Sequence, residues 1–242
     1  MTAQRKLTME DILPACGHYV GTDELFLQGY NLLVDENDQG KKVLEVCCGA
    51  GDLSGTLAQV TQLEILAIDR LEQNIQTAKQ KYNHLTNLEF LCEDATNLQK
   101  FESDRFDVIF GQATLHHLAH STESLSKEYC RLLKAGGKLV FIFEPLGHNP
   151  LIAAIRAVRV AYAEMPDESN LFESTLRDIA VNFGRYEIYY FSLFAYFCKS
   201  LPRSSNLGMW LYEKLNALDQ KLFVQYPRLR KFAANVNVCY WK

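Results

Sequence analysis

VLEVCCGAGDLSGTLAQV, residues 43–60, is the stretch that decides the fold of this chain. It begins with an apolar run, Val43–Val46, of the kind that forms buried parallel strands. It turns at Gly49 and Gly51 and continues with apolar residues at helical spacing. Glycine allows a tight turn and a close approach to a ligand, and the first turn of a helix offers unpaired N–H groups. The stretch therefore predicts a strand, a glycine turn and a helix that bind a polar, nucleotide-like ligand.

The spacing of the glycines bears on which nucleotide is bound. The fingerprint of nicotinamide and flavin proteins needs a third glycine three residues after the second. Ser54 holds that place, and Gly55 comes one residue later. This spacing disfavours a dinucleotide, although an NAD-dependent reductase stays open as an alternative.

The stretch resembles motif I of the class I S-adenosylmethionine-dependent methyltransferases, in which an acidic residue begins the pattern E-x-G-x-G-x-G. Glu45, Gly49 and Gly51 match this pattern, and Cys47 stands where the first glycine usually stands. The resemblance implies S-adenosylmethionine as the cofactor and S-adenosylhomocysteine as the product. It also implies that the residues of this motif bind the cofactor: Glu45, Cys47, Gly49, Ala50 and Gly51.

An acidic residue follows the second apolar run, Leu63–Ile68. Asp69 lies 18 residues after Gly51, near the separation at which a carboxylate accepts hydrogen bonds from both ribose hydroxyls. We predict that Asp69 and the adjacent Arg70 contact the cofactor. The alternative is that Asp69 caps the helix predicted for Leu71–Tyr82.

Polar residues also follow the third and fourth apolar runs, Leu88–Cys92 and Phe106–Phe110. The resemblance implies that Asp94 accepts a hydrogen bond from the adenine amine and that the N–H of Ala95 binds the ring. A carboxylate suits this role because it is an acceptor only. Gln112, at the end of the fourth run, is predicted to contact the cofactor as well.

Two adjacent histidines, His116 and His117, follow the fourth run. The resemblance implies substrate-facing residues at these positions, and an imidazole with a pKa of about 6.5 is a suitable general base. The alternative is that a histidine here is structural and bonds the backbone. Glu144 and His148, beyond the fifth strand, are secondary candidates for contact with the acceptor.

Apolar strands and helical periods alternate along the chain, and this alternation predicts an α/β fold with a parallel sheet between two layers of helices. A helix stop at Lys134–Gly137 precedes a fifth strand predicted at Lys138–Phe143. The resemblance implies a Rossmann-like, mostly parallel sheet of seven strands. Its last strand, predicted at Asn235–Trp241, would run antiparallel between the fifth and the sixth. The long helix predicted at Asn206–Gln225 then belongs to an insertion beside the acceptor.

A single domain fits 242 residues with 48% hydrophobic content. We expect a helical cap, a cofactor-binding core, and a part with acceptor-side helices, an insertion and closing strands: residues 1–40, 41–145 and 146–242. The cap is predicted to hold helices at Thr8–Ala15 and Asp23–Val34. Tyr19, between them, is a candidate cofactor contact or an ordinary buried tyrosine.

The composition restricts the partners and the compartment. Seven cysteines, with no CxxC pair and no metal-like spacing with histidine, predict reduced thiols in a cytosolic protein without a metal site. No run approaches the roughly 20 apolar residues of a membrane span. The net charge of −4 disfavours nucleic acid. Residues 199–242 carry eight basic and two acidic residues, which fits solvated helix faces, an anionic acceptor or a membrane surface.

The absence of one motif indicates which kind of acceptor this chain methylates. No N/D/S-P-P-Y/F sequence, the signature of many amino-group methyltransferases, follows the fourth strand. We therefore expect methylation of a small molecule or peptide on oxygen, at a hydroxyl or a carboxylate, as in natural-product and quinone biosynthesis. Carbon or nitrogen methylation of a quinone-like or other metabolite is the alternative reaction. A cofactor-binding module without catalysis is the alternative of another class.

Overall fold

The computed structural model describes residues 6–12, 23–34, 39–163, 171–201 and 204–242. The strands are β1 Lys42–Val46, β2 Glu64–Asp69, β3 Leu88–Cys92, β4 Phe106–Gln112, β5 Leu133–Pro145, β6 Arg185–Phe191 and β7 Asn235–Trp241. The helices are α1 Met9–Ile12, α2 Asp23–Asn31, α3 Asp52–Val60, α4 Glu72–Tyr82, α5 Leu115–Leu118, α6 Thr122–Leu132, α7 Pro150–Ala163, α8 Glu173–Ala180 and α9 Asn206–Gln225. Short 3-10 helices lie at Ala119–Ser121, Ala195–Ser200 and Pro227–Phe232.

The seven strands form one sheet in the order β3-β2-β1-β4-β5-β7-β6. Strands β1 to β5 pair in parallel, and β7 runs antiparallel to both β5 and β6. The predicted fold class, including the antiparallel strand between the fifth and the sixth, is confirmed. The carboxyl ends of the parallel strands therefore meet at one edge of the sheet, which is where open α/β sheets bind ligands.

The strands are apolar on both faces because helices cover both faces. In β5, Leu139 and Phe141 belong to the core on one side of the sheet, and Val140 and Ile142 belong to the core on the other. This period of two is the alternation expected of a strand. Burial of both faces explains why the strands were recognisable as continuous apolar runs.

The N-terminal helix α2 packs directly on the sheet. A Cβ added at Gly29 would lie 2.6 Å from the Ile142 side chain, so this glycine lets α2 approach β5 closely. The buried Asn237 of β7 donates from Nδ2 to the Leu25 carbonyl at 2.7 Å and accepts at Oδ1 from the Phe143 N–H at 2.8 Å. Asn237 thus joins α2 to the sheet, close to a register shift in β5.

The insertion between β6 and β7 begins and ends at the same edge as the other carboxyl ends. Phe191, the last residue of β6, pairs with Asn235, the first residue of β7, and Asn235 also pairs with Pro145 at the end of β5. The long helix of this insertion has the predicted bounds, Asn206–Gln225. Asp219 on this helix is fully buried and accepts from the backbone N–H groups of the segment before it.

Three predicted elements differ in extent. Strand β5 begins at Leu133, five residues before the prediction, because Leu133 pairs with Phe106 before the register shifts. Helix α2 ends at Asn31, three residues before its predicted end at Val34. Helix α1 has four residues, and residues 13–15 of its predicted span lie outside the described ranges. None of the helices within those ranges is long and apolar enough to cross a membrane.

Candidate functional site

The glycine turn between β1 and α3 presents an open stretch of backbone. Gly49 and Gly51 have φ of +55° and +77°, in the left-handed region that favours glycine. A Cβ on Gly51 would lie 2.5 Å from the Phe90 ring, so packing requires this glycine. A Cβ on Gly49 would meet no atom of the described residues within 4 Å. A ligand can therefore approach the backbone at Gly49.

Cys47 shares the left-handed backbone of this turn. Its φ is +55°, a conformation that costs a non-glycine residue about 1–2 kcal/mol. This backbone explains the glycine that the motif usually has at this position. Burial, and after it the charge of Asp69, raises the pKa of the Cys47 thiol to about 12. The thiol is therefore protonated at neutral pH and is not a nucleophile.

The polar residues at the strand ends lie around Cys47. The charges of Asp69, Arg70, Glu144 and Asp94 all act on its thiol. These residues follow or end β2, β5 and β3, and Cys47 follows β1. The structure thus brings together, at the carboxyl edge of the sheet, candidates that the sequence places up to about a hundred residues apart.

Asp69 links the glycine turn to the next helix. Its Oδ2 accepts from the Gly49 N–H at 2.9 Å. Its Oδ1 accepts from the Leu71 N–H at 2.9 Å and from Asn74 Nδ2 at 3.1 Å, just before and within α4. The N-cap of α4 is Leu71, and no side chain caps the helix, so Asp69 joins the turn to α4 without being its cap. Carboxylate oxygens have further lone pairs, so contact with a ribose stays a prediction.

Asp94 is fixed by contacts with Thr96, and Ala95 by a contact with helix α6. Asp94 is exposed, and its Oδ1 accepts from the Thr96 N–H at 2.8 Å and the Thr96 hydroxyl at 2.7 Å. These hydrogen bonds, together with the Arg70 charge, lower the pKa of the Asp94 carboxyl. Tyr129 donates its hydroxyl to the Ala95 carbonyl at 3.1 Å. Asp94 is therefore ionised at neutral pH and stands ready as an acceptor.

Glu45 lies inside the protein. It is 3% exposed, and its Oε2 accepts from the Ser54 hydroxyl on α3. Burial raises the pKa of the Glu45 carboxyl well above its usual range. The contact holds the start of α3 against β1, so Glu45 positions the turn from beneath. Its contact with the cofactor stays a prediction.

Gln112 is tied to the N-terminal helices. Tyr30 on α2 is fully buried and donates its hydroxyl to Gln112 Oε1 at 2.6 Å. Tyr30 therefore stands at the end of β4, a position that the sequence analysis did not assign to it. The only signal in the sequence was its place on the apolar face of a predicted helix. Tyr19, the tyrosine that was predicted as a candidate cofactor contact, lies outside the described residues.

A buried carboxylate organises the segment that carries the histidines. Glu144 is fully buried, and its Oε1 accepts from the N–H groups of Thr114 and Leu115 at 2.7 and 2.9 Å. Its Oε2 lies 3.0 Å from Nδ1 of His116, which is 6% exposed. Glu144 was predicted as a secondary acceptor contact, whereas the structure places it beneath α5, where it holds the His116 ring.

The two histidines differ in exposure. His117 is exposed, and its ring centre lies 4.0 Å from that of His116. His148 lies further along, where its Nε2 accepts from the Glu173 N–H at 3.4 Å and its ring meets Phe172 edge-on. His116 thus has a carboxylate partner that fixes its orientation, His117 has access to solvent, and His148 supports the start of α8.

Comparison with known proteins shows that this chain is similar to methyltransferases. Residues 43–137 match a family model described as a methyltransferase domain. The chain is 25% identical over 205 residues to phosphoethanolamine N-methyltransferase of Triticum aestivum, across 84% of this chain and 40% of that protein. It is 36% identical over 107 residues to a ubiquinone biosynthesis O-methyltransferase of Coxiella burnetii, across 43% of each chain. The chain thus spans about two fifths of the length of these relatives.

One solved structure has a fold similar to that of this chain. Phosphoethanolamine N-methyltransferase 2 of Haemonchus contortus, in complex with phosphomonomethylethanolamine and S-adenosylhomocysteine, has a TM-score of 0.59. The likeness covers 85% of this chain and 49% of that one at 18% identity. At this identity, the likeness concerns the fold alone.

Proposed function

We propose that this chain, which belongs to the class I S-adenosylmethionine-dependent methyltransferase family, methylates a small-molecule or peptide acceptor on an oxygen atom. The observation that carries the proposal is the open backbone at Gly49 beside the carboxylates of Asp69 and Asp94. A turn without a Cβ and two acceptors at neighbouring strand ends suit an adenosyl group. S-adenosylmethionine supplies, when bound, a methyl group on a sulfonium.

The residues that would hold the cofactor follow from the strand ends. We assign ribose contact to Asp69, adenine contact to Asp94 and the N–H of Ala95, and backbone contact to the turn from Gly49 to Gly51. Cys47, Arg70 and Gln112 lie at the same edge, and Glu45 supports the turn from inside. Tyr30 joins this set through its hydrogen bond to Gln112.

Proton removal is assigned to His116. The Glu144 carboxylate near Nδ1 favours the tautomer with the proton on Nδ1. The other ring nitrogen, Nε2, is then the atom that can accept a proton. As a hydroxyl oxygen of the acceptor gains the methyl group, its proton passes to Nε2 and the imidazolium is stabilised by Glu144. His117 is the alternative base, and a carboxylate acceptor would need no base.

Amine methylation is the second candidate. It is favoured by the wheat relative, named as a phosphoethanolamine N-methyltransferase, which matches 84% of this chain. An amine acceptor must also lose a proton, so the same imidazole would serve. The two candidates therefore differ in the acceptor and not in the base.

Calorimetry and acceptor assays test the proposal. We expect S-adenosylhomocysteine to bind and NADH not to bind, and Asp69→Ala to weaken binding by about 1.5–3 kcal/mol through loss of a charged acceptor. Glu89→Ala, at an exposed position on β3, is the matched control. Methyl transfer is then measured with a catechol, a malonyl thioester and phosphoethanolamine. Tight NADH binding without adenosyl binding would contradict the proposal, and transfer to phosphoethanolamine alone would favour the amine.

The histidine variants separate a base from a positioning role. If His116 is the base, His116→Gln should lower turnover by roughly 10²–10⁴-fold while affinity for S-adenosylhomocysteine is unchanged. The loss should shrink at alkaline pH because a hydroxyl acceptor then ionises without help. His117→Gln is the matched variant. A loss that is independent of pH in both variants would refute the base.

A further inference from the structure

We propose that the outward face of α9 is a docking surface for an anionic phospholipid bilayer. The helix carries six residues at spacings of three and four that share one face: Leu207, Trp210, Leu211, Lys214, Leu218 and Lys221. At about 100° per residue, these positions fall within roughly one third of the helix circumference. We call this set the α9 stripe.

The α9 stripe points away from the protein. Leu207 is 72% exposed, Trp210 54% and Leu218 44%. The opposite face of the helix carries the residues that are buried against the domain: Gly208, Tyr212, Asp219 and Phe223. A surface helix normally has its apolar residues toward the core and polar residues outward. The described residues therefore leave much of the apolar surface of the stripe exposed.

The charges beside the stripe indicate an anionic partner. Lys214 and Lys221 lie within it, and Arg228 and Lys231 are exposed in the 3-10 helix that follows. Glu213 is the one exposed acidic residue of α9, because Asp219 is buried. This local excess of positive charge contrasts with the net charge of −4 of the whole chain. Trp and Leu interleaved with Lys are typical of helices that lie in the headgroup region of a membrane.

The same composition disfavours a second copy of the chain as the occupant. A symmetric contact between two stripes would bring Lys214 and Lys221 of both copies into one interface, where like charges repel. An anionic bilayer covers the apolar residues and pairs with the lysines at once. Each lysine near such a surface contributes about 1 kcal/mol of attraction.

Hydrogen bonds to neighbouring segments fix the position of α9. Asp219 accepts from the backbone N–H groups of Leu193 and Ala195 at 2.8 and 3.0 Å, and Asn216 donates to Glu24 of α2 at 2.6 Å. The helix is thus fixed to both the insertion and the N-terminal helices. The insertion that carries α9 starts and ends at the carboxyl edge of the sheet, so the docking helix belongs to a part of the fold that borders this edge.

Vesicle co-flotation tests the proposal. The full chain is mixed with vesicles of phosphatidylcholine alone and with vesicles of equal parts phosphatidylcholine and phosphatidylglycerol, at low and high salt. We expect binding to the anionic vesicles at low salt, weaker binding at high salt, and little binding to phosphatidylcholine alone. Equal binding to both vesicle types, or to neither, would overturn the proposal.

Two variants locate the contact. Lys214→Gln with Lys221→Gln should weaken binding about 30-fold, which corresponds to about 1 kcal/mol for each lysine. Trp210→Gln should weaken it about tenfold because less apolar area leaves water. Lys79→Gln on α4 and Val181→Gln after α8, both at exposed positions, are the matched controls. Variants of the stripe that bind as tightly as these controls would overturn the proposal.

Two further readouts separate the alternatives. In a Trp241→Phe background, Trp210 is the one tryptophan, and its emission should shift to the blue only when anionic vesicles are added. A shift that follows protein concentration without lipid would show self-association and would overturn the proposal. Affinity for S-adenosylhomocysteine should be the same in all variants, so this test is independent of the proposed methyl transfer.

Discussion

The two halves of the sheet hold their polar groups in different ways. In the half formed by β1–β3, the carboxylates of Asp69 and Asp94 bond mostly to residues close in sequence: Asp69 to Leu71 and, 20 positions away, to Gly49, and Asp94 to Thr96. In the half formed by β4–β7, they join distant segments, since Glu144 bonds Thr114 and Asn237 bonds Leu25. The carboxylates of the β1–β3 edge are therefore held mainly by segments close to them in sequence, and the polar side chains of the β4–β7 edge depend on contacts between distant segments. Variants of Asp69 and Asp94 should therefore affect ligand binding most, and a variant of Glu144 should affect stability most.

Glu144→Ala should have the largest effect on stability. The carboxylate is fully buried and accepts from the N–H groups of Thr114 and Leu115 and lies beside His116. Removal of this acceptor leaves buried donors without a partner, so we expect a loss of about 3–5 kcal/mol in the free energy of unfolding. Urea denaturation followed by circular dichroism measures it.

The control for this variant is a carboxylate on the surface. Glu123 forms an exposed pair with Lys127, so Glu123→Ala should leave the urea midpoint within error. Glu144→Gln keeps one oxygen acceptor and should fall between the two. A Glu144→Ala protein as stable as the Glu123→Ala protein would show that the long-range contacts of β4–β7 do not hold this half together.

The two glycines of the turn allow effects on stability and on ligand binding to be compared within the first half of the sheet. Gly51→Ala places a Cβ 2.5 Å from the Phe90 ring at a φ of +77° and should lower the free energy of unfolding by about 2–4 kcal/mol. Gly49→Ala meets no described atom, so we expect about 1–2 kcal/mol from backbone strain. Calorimetry with S-adenosylhomocysteine should instead show the larger affinity loss for Gly49→Ala. The reverse pattern would place the ligand elsewhere.

Glu45→Gln should change how stability depends on pH. The ordinary pKa of this carboxyl is 4.5, and burial raises it in the folded chain. Between these two pKa values the folded chain holds a proton that the unfolded chain has lost, so stability falls as pH rises. Glutamine does not ionise. The variant and the native protein should therefore match below about pH 4.5, and the variant should become the more stable one as pH rises.

Urea titrations of both proteins across this pH range measure the difference between their free energies of unfolding. The contributions of all other titratable groups are the same in both proteins and cancel in this difference. Glu187→Gln is the control, since the hydroxyl of Tyr189 lowers the pKa of that carboxyl. A constant difference between Glu45→Gln and the native protein at every pH would show that Glu45 is not protonated in the folded chain.

The local construction of the first half explains what the sequence could predict. The turn from Val46 to Gly51, the acid Asp69 and the acid Asp94 each stand beside their own strand, so an apolar run and the residue after it are sufficient signals. The order of the sheet came from the family resemblance. The long helix was predicted with its observed bounds because Asn206 to Gln225 carries a continuous helical period ended by Pro227.

The second half shows what the sequence could not predict. The contact between Tyr30 and Gln112 joins residues 82 positions apart, and no spacing rule links them. Glu144 followed a strand like the other acids, yet the structure places it inside, next to the positive φ of Phe143 and a register shift in β5. Such a bulge changes the direction of the following side chain. It has no signature in residue type, because Phe143 is not a glycine.

Cys47→Gly should have the smallest effect, and it tests the one position where the motif departs from its family. Glycine relieves about 1–2 kcal/mol of strain at a φ of +55°. It adds about 0.5–1 kcal/mol of backbone entropy to the unfolded chain, and it removes a thiol that packs against the core. These contributions oppose each other, so we expect a change of less than about 1 kcal/mol in urea denaturation. Affinity for S-adenosylhomocysteine should stay the same or rise, because the backbone already has the conformation that glycine prefers. A large loss of affinity on this change would show that the Cys47 side chain itself contacts the ligand.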